Sequence, residues 1–127
     1  MNFKDYAYNL IYEGFNPLPL NENKSPKLPK GHKYLYEKVS ENDVDSLFQE
    51  CKKIGIACGR VSDGFYCIDF DKHNGEDIDL IYNQFIKIPF VVALFNQNKL
   101  SVYKTMGGGY HFYFRYMLLF SMFACIC

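Results

Sequence analysis

Apolar positions open the chain at helical spacing. Phe3, Tyr6, Ala7, Leu10 and Ile11 recur as one face of a helix from Asn2 to Glu13, which Gly14 ends. Phe15 to Leu20 is extended but carries Pro17 and Pro19, which restricts it to an edge strand. Asn21 to Gly31 is a loop rich in proline and lysine. Ser40, with Asp43 three residues on, predicts a helix start, and Val44, Leu47, Phe48 and Cys51 mark the inward face of a helix running to Lys53. Gly55 breaks that helix, and Ile54 to Cys58 reads as a short buried strand before Gly59. Val61 to Asp63 turns into the strand Gly64 to Asp71. Glu76 to Ile86 is a helix with Ile78, Ile81, Tyr82 and Phe85 inward. Phe90 to Phe95 and Leu100 to Thr105 read as two strands around the polar turn Asn96-Gln97-Asn98. Gly107 to Gly109 form a glycine loop, and Tyr110 to Tyr116 is a final strand. The pattern contains no repeat and no linker, and its mixture of elements is α/β (α+β) in class.

The strand from Gly64 to Asp71 organises the rest. Side chains alternate along a strand, so Tyr66, Ile68 and Phe70 share one face and Cys67, Asp69 and Asp71 share the other. Two carboxylates two residues apart on one face repel unless a cation lies between them. At the end of an apolar strand that arrangement suits a divalent-metal site. Taken alone, acid-x-acid at a strand end is more often a solvated turn.

The 127 residues suffice for one domain with a real core, and 49% hydrophobic content with 18% aromatic residues excludes a disordered chain. Formal net charge is zero, so bulk charge gives no argument for nucleic acid. Its distribution is uneven. Lys24, Lys27, Lys30, Lys33 and Lys38 fall in one run, and Asp63, Asp69, Asp71, Glu76, Asp77 and Asp79 in another. A basic segment and an acidic segment suit a phosphate-rich ligand bridged by cations, and two solvated faces account for them equally well. Five cysteines, an odd number without Cys-x-x-Cys, point to reduced thiols and a cytoplasmic location. Lys4 and Asp5 interrupt the start, so no signal peptide is expected. The last eleven residues, Met117 to Cys127, hold one polar side chain, Ser121, and are too short to cross a membrane. They read either as a buried strand or as a truncated or out-of-frame end.

A second chemistry-bearing stretch is Thr105-Met106-Gly107-Gly108-Gly109-Tyr110-His111-Phe112-Tyr113-Phe114-Arg115. Glycines let backbone approach a ligand and turn N–H groups toward an anion. Beyond them His111, Tyr113 and Arg115 share one strand face, and Tyr110, Phe112 and Phe114 the other. A histidine and an arginine on one face after a glycine turn can bind phosphate. His111 in isolation reads as an ordinary half-buried histidine.

Four pieces, in order, resemble the N-terminal half of the primase–polymerase domain of the archaeo-eukaryotic primase superfamily, of the phage and plasmid replication type. Gly14 to Leu20, followed by Lys24 and Pro26, is similar to that family's opening strand and Lys-x-Pro loop. Ile54 to Gly59 resembles its small glycine-ended strand, and Asp63 to Asp71 its apolar strand ending in acid-x-acid. Thr105 with Gly108 to Phe114 resembles its glycine pair and histidine within an aromatic strand. The likeness spans about residues 8 to 116. It implies an RRM-like catalytic sheet with flanking helices over residues 1–116, C-terminally truncated, and an apolar tail over 117–127.

By that resemblance Asp69 and Asp71 are ligands of Mg²⁺ or Mn²⁺. His111 contacts the triphosphate of the incoming nucleotide, with Gly108, Gly109, Arg115 and Lys24 as further nucleotide-binding residues. The implied activity is DNA primase or polymerase nucleotidyl transfer. The implied partners are a DNA template, (d)NTPs and a helicase domain or protein, with no membrane. Such transfer uses two cations about 3.5–4 Å apart to activate the 3′-hydroxyl and neutralise the leaving pyrophosphate. The family carries a third acid on a later strand, whereas nothing after Asp79 is acidic here. The expectation is therefore weak or absent polymerase activity in the chain alone, and a non-catalytic nucleotide- or DNA-binding remnant is the rival. A nucleotide-sugar transferase would also use Asp-x-Asp, but leaves the glycine–histidine strand unexplained. A calcium loop fails on spacing, with Asn74 and Leu80 where glycine and the closing acid belong, and no Gly-x-x-x-x-Gly-Lys-Ser/Thr loop occurs.

Overall fold

The computed structural model describes residues 2–72 and 77–116. The readings of Asn74, Glu76 and Met117 to Cys127 lie outside the described residues. The fold is mixed α/β, with two separate antiparallel sheets of two and three strands. The described residues separate into two compact units, one up to Phe65 and the other Tyr66–Tyr116.

The first unit begins with α1 (Phe3–Tyr12). Asn2 caps it, accepting from the Asp5 N–H at 2.9 Å, while the Asp5 carboxylate accepts from the Asn2 N–H at 3.3 Å. That reciprocal pair satisfies two donors that the first turn leaves open. Gly14, at φ 89°, turns the chain out of the helix where a side chain would be strained. β1 (Asn16–Leu20) then pairs antiparallel with β2 (Lys53–Ala57), Asn16 opposite Ala57 and Leu20 opposite Lys53. Both strands are edges, which is how Pro17 and Pro19 fit. Between them lies α2 (Val44–Leu47), a single turn preceded by a 3₁₀ turn at Glu41–Asp43.

The helix expected from Ser40 to Lys53 is thus much shorter than its apolar spacing predicts. Ser40 makes no side-chain cap, the Ser46 hydroxyl donates back to the Asp43 carbonyl, and Lys53 is already in β2. Its inward face survives: Val44, Phe48 and Cys51 are buried with Ala7, Leu18, Tyr34 and Val39.

The core of this unit also contains polar groups, all of them bonded. Asn16 is 1% exposed. Its N–H donates to Ser62 Oγ at 2.8 Å, and its Nδ2 donates to the carbonyls of Tyr34 and Glu37 at 2.9 and 3.1 Å. Its Oδ1 accepts from the Val39 N–H at 2.7 Å. One side chain thereby pins the Tyr34–Val39 loop to β1.

The second unit runs β3 (Phe65–Phe70), α3 (Ile78–Phe85), α4 (Pro89–Asn96), β4 (Leu100–Lys104) and β5 (Tyr110–Arg115). Its sheet has the order β3-β5-β4. β4 and β5 pair with Leu100 opposite Phe114 and Lys104 opposite Tyr110. Asp77 caps α3 by accepting from the Leu80 N–H at 3.0 Å. Of the expected inward positions, Ile78, Tyr82 and Phe85 pack inward, but Ile81 is exposed, and Ile86 takes part in the core instead.

The stretch Phe90 to Phe95 is helical, correcting the strand reading. Pro89 occupies a first-turn position, where its fixed φ and missing N–H favour a helix start. The run is apolar at every position, so period alone could not separate strand from helix. The core takes Val91, Leu94 and Phe95, which is helical spacing. Asn96-Gln97-Asn98 therefore connects a helix to β4, with Asn98 at φ 54°. α3 and α4 meet at a bend of 75°, and no single helix among the described residues is long and apolar enough to cross a membrane.

Phe112, fully buried, centres this unit's core. Its ring lies 4.7 Å from that of Phe85, 5.2 Å from Phe70 and 5.8 Å from Tyr82, centroid to centroid. One face of the sheet is thus committed to α3 and α4.

Candidate functional site

The period of two along β3 and β5 sets the site. Ile68, Phe70, Phe112 and Phe114 turn to the core face, with Tyr66 stacked on Phe114 at 5.7 Å. The alternate residues, Asp69 on β3 and His111 on β5, therefore share the other face, and they meet. His111 Nε2 lies 3.1 Å from Asp69 Oδ1, with side chains 36% and 52% exposed. The other ring nitrogen, Nδ1, lies 2.8 Å from the Tyr113 hydroxyl. With the proton on Nε2, the imidazole donates to the carboxylate and the Tyr113 hydroxyl donates to Nδ1. The histidine is oriented from both sides, so its ring plane is fixed before any ligand arrives.

The glycine loop sits against the end of β3. A Cβ on Gly109 would lie 2.1 Å from the Phe70 carbonyl oxygen, so only glycine allows the two backbones to approach this closely. The loop is closed internally. Gly109 N–H donates to Thr105 Oγ1 at 2.9 Å, and Gly108 N–H donates to the Thr105 carbonyl at 3.0 Å. The expectation that these N–H groups turn toward an anion is therefore not met at Gly108 and Gly109. What they provide is proximity: Gly108, at φ 87°, holds the turn, and the Lys72 side chain lies beside it.

Asp71 follows the last residue of β3 and is exposed, as is Arg115 at the far end of β5. Lys24 belongs to the first unit. It occupies a left-handed turn at φ 68°, and it borders a cavity of about 290 Å³ with Leu18, Pro26, Tyr36 and Cys58. Cys51, Cys58 and Cys67 form no disulfide. Among the described residues, no three of His, Cys, Asp and Glu converge on one point. Asp69 places a hard oxygen donor beside the His111 imidazole, and Asp71 does not join them in one cluster.

Two features escaped the sequence reading. Tyr113 is the immediate partner of His111, and its signal was the two-residue spacing on one strand face. Tyr110, on the core side, stacks on Tyr82 at 4.1 Å and donates its hydroxyl to Asp79 Oδ1 at 2.5 Å. That hydrogen bond, reinforced by partial burial and the carboxylate's charge, pushes the phenol up to about 12.

Comparison with known protein families and with curated proteins finds no match to this chain.

Proposed function

We propose that the second unit holds the metal–triphosphate site of a primase–polymerase-type nucleotidyltransferase on an RRM-like sheet. The observation that carries the reading is the meeting of Asp69 and His111 at 3.1 Å on one exposed sheet face. These residues are far apart in sequence and were paired by their resemblance to that family's two motifs. Asp69 and Asp71 would hold a divalent cation, which neutralises phosphate charge and polarises the α-phosphate. His111, oriented by Tyr113, would turn its Nε2–H from the Asp69 carboxylate to a triphosphate oxygen once the cation occupies that carboxylate. Gly109 keeps β5 close enough to the end of β3 for acid and imidazole to reach one ligand.

The test is binding of a labelled dNTP in Mn²⁺ and in Mg²⁺, followed by template-dependent incorporation. The reading expects metal-dependent nucleotide binding that Asp69→Asn/Asp71→Asn abolishes and His111→Ala weakens. Incorporation by the parent makes the unit catalytic. Binding without incorporation favours a nucleotide-binding remnant of the same fold. Metal-independent binding, or none, refutes the site.

A further inference from the structure

Among the described residues, three besides glycine stand at positive φ: Lys24, Asp63 and Asn98. Asp and Asn tolerate the left-handed region, because their short polar side chains bond locally, but lysine has no such means. Lys24 nevertheless adopts it, at φ 68°, in a loop held by its own hydrogen bonds. The Lys24 N–H donates to the Asn21 carbonyl at 2.9 Å, and the Asn21 N–H to the Ser25 carbonyl at 2.8 Å. Asn21 Nδ2 donates to Ser25 Oγ at 3.0 Å, and the Lys27 N–H to the Pro19 carbonyl at 2.7 Å. A strained residue persists where its surroundings over-determine it, and such residues gather at ligand sites. Glycine or asparagine would fill this turn at lower cost, so the turn does not explain the lysine.

What Lys24 borders is the cavity of about 290 Å³ in the first unit. Its walls are aliphatic, with Leu18, Leu20, Leu35 and Ile56 lining it, and Leu18 is buried. Gly55 lines it too, from inside β2 and opposite Leu18. A glycine within a strand weakens the strand and marks a close approach. A Cβ at Gly55 would stand 3.0 Å from the Leu20 side chain, so any side chain there would crowd the cavity wall. Lys24 and Tyr36, both exposed, stand at the mouth. No described carboxylate borders the cavity. The nearest acid in sequence, Glu22, is engaged by Lys52 at 3.7 Å and by Lys53 at 3.6 Å. Lys24 takes part in none of the ion pairs among the described residues.

We infer that this cavity binds a small aliphatic carboxylate, with its chain against the leucines and its head group on Lys24 Nζ. The walls favour a hydrocarbon chain through the apolar area it removes from water. A cation at the mouth without a counter-charge favours an anionic head, and a carboxylate on an ammonium makes a charge-assisted hydrogen bond. The volume is at the small end of ligand cavities, which suits a chain of octanoate's length. A nucleoside triphosphate fits poorly, because one lysine and aliphatic walls leave most of its charge unmatched. The site shares no residue with the proposed metal–triphosphate site in the second unit, and the two stand or fall separately.

The test is isothermal titration of the full chain with sodium octanoate, without metal or nucleotide, beside thermal unfolding of each variant. The parent binds a single octanoate per chain. Octanol, which has the same chain and no charge, binds about tenfold more weakly. Lys24→Asn weakens octanoate binding about tenfold and leaves octanol binding unchanged. The same variant unfolds at or above the parent's midpoint, because asparagine relieves the strained turn. Lys24→Arg keeps the charge and binds octanoate as the parent does. Gly55→Ala, at a position away from the lysine, weakens octanoate and octanol alike, because its methyl crowds the wall. Without metal, dTTP does not displace octanoate. No binding by the parent, equal octanoate binding by Lys24→Asn, octanol as tight as octanoate, or displacement by dTTP would overturn the inference.

Discussion

The two units use polar residues in opposite ways. In the first, Asn16 and Ser62 are buried, and each is bonded to backbone that would otherwise lack a partner. In the second, the core is almost wholly aromatic and aliphatic, and Asp69 and His111 stand on the other face of the sheet. Buried polar groups that are fully satisfied specify structure, because losing one strands several others. An exposed acid–histidine pair does little for stability, since solvent screens it. Asp69 and His111 therefore have no structural duty comparable with that of Asn16. That difference directs the functional reading to the second unit.

The comparison can be broken first where the expected effect is largest. Phe112→Ala should cost the protein about 3–5 kcal/mol in denaturant unfolding, because it empties the centre of the aromatic core. Asn16→Ala should cost about 3 kcal/mol, since two carbonyls and one N–H are then buried without partners. A cost below that of an ordinary surface change would remove the structural role given to Asn16.

Gly109→Ala should cost about 1–3 kcal/mol by forcing β5 away from the Phe70 carbonyl. Gly107→Ala, where nothing lies within 4 Å of the added methyl, should be nearly silent. Equal effects at the two glycines would contradict the close approach seen at Gly109.

The smallest effect concerns Tyr110. Its phenol is raised to about 12 from the usual 10.0, so its hydrogen bond to Asp79 favours the neutral form. The stabilisation is complete below about pH 10 and is lost as pH rises through about 12. Ultraviolet titration should show a late-ionising tyrosine in the parent, and Asp79→Asn should bring it back toward 10. A late tyrosine that persists in Asp79→Asn would mean that burial, not the carboxylate, causes the shift.

Much of this arrangement was legible beforehand, and the failures have physical causes. The faces of β3 and β5 followed from alternation alone, because each strand has one wholly apolar side. The pairing of Asp69 with His111 was reached only by resemblance, since no local pattern connects a residue of β3 to one of β5. α4 was misread because Phe90 to Phe95 lacks any polar residue to reveal its period, although Pro89 held the correct signal. α2 was over-extended because its apolar spacing continues into Cys51, while pairing of Lys53–Ala57 with β1 ends the helix first. The tertiary contact overrides the local propensity there. The glycine loop was read as an anion cradle, whereas Thr105 takes up the N–H groups of Gly108 and Gly109.

The central claim is that Asp69 and His111 are kept for a ligand and not for the fold. The most direct measurement is dNTP binding in Mn²⁺ beside thermal unfolding, for the parent, Asp69→Asn and His111→Ala. The account predicts that both variants unfold within about 1 kcal/mol of the parent, that Asp69→Asn loses metal-dependent nucleotide binding, and that His111→Ala weakens it. Variants that bind nucleotide as the parent does, or that lose binding only because they unfold, would contradict it.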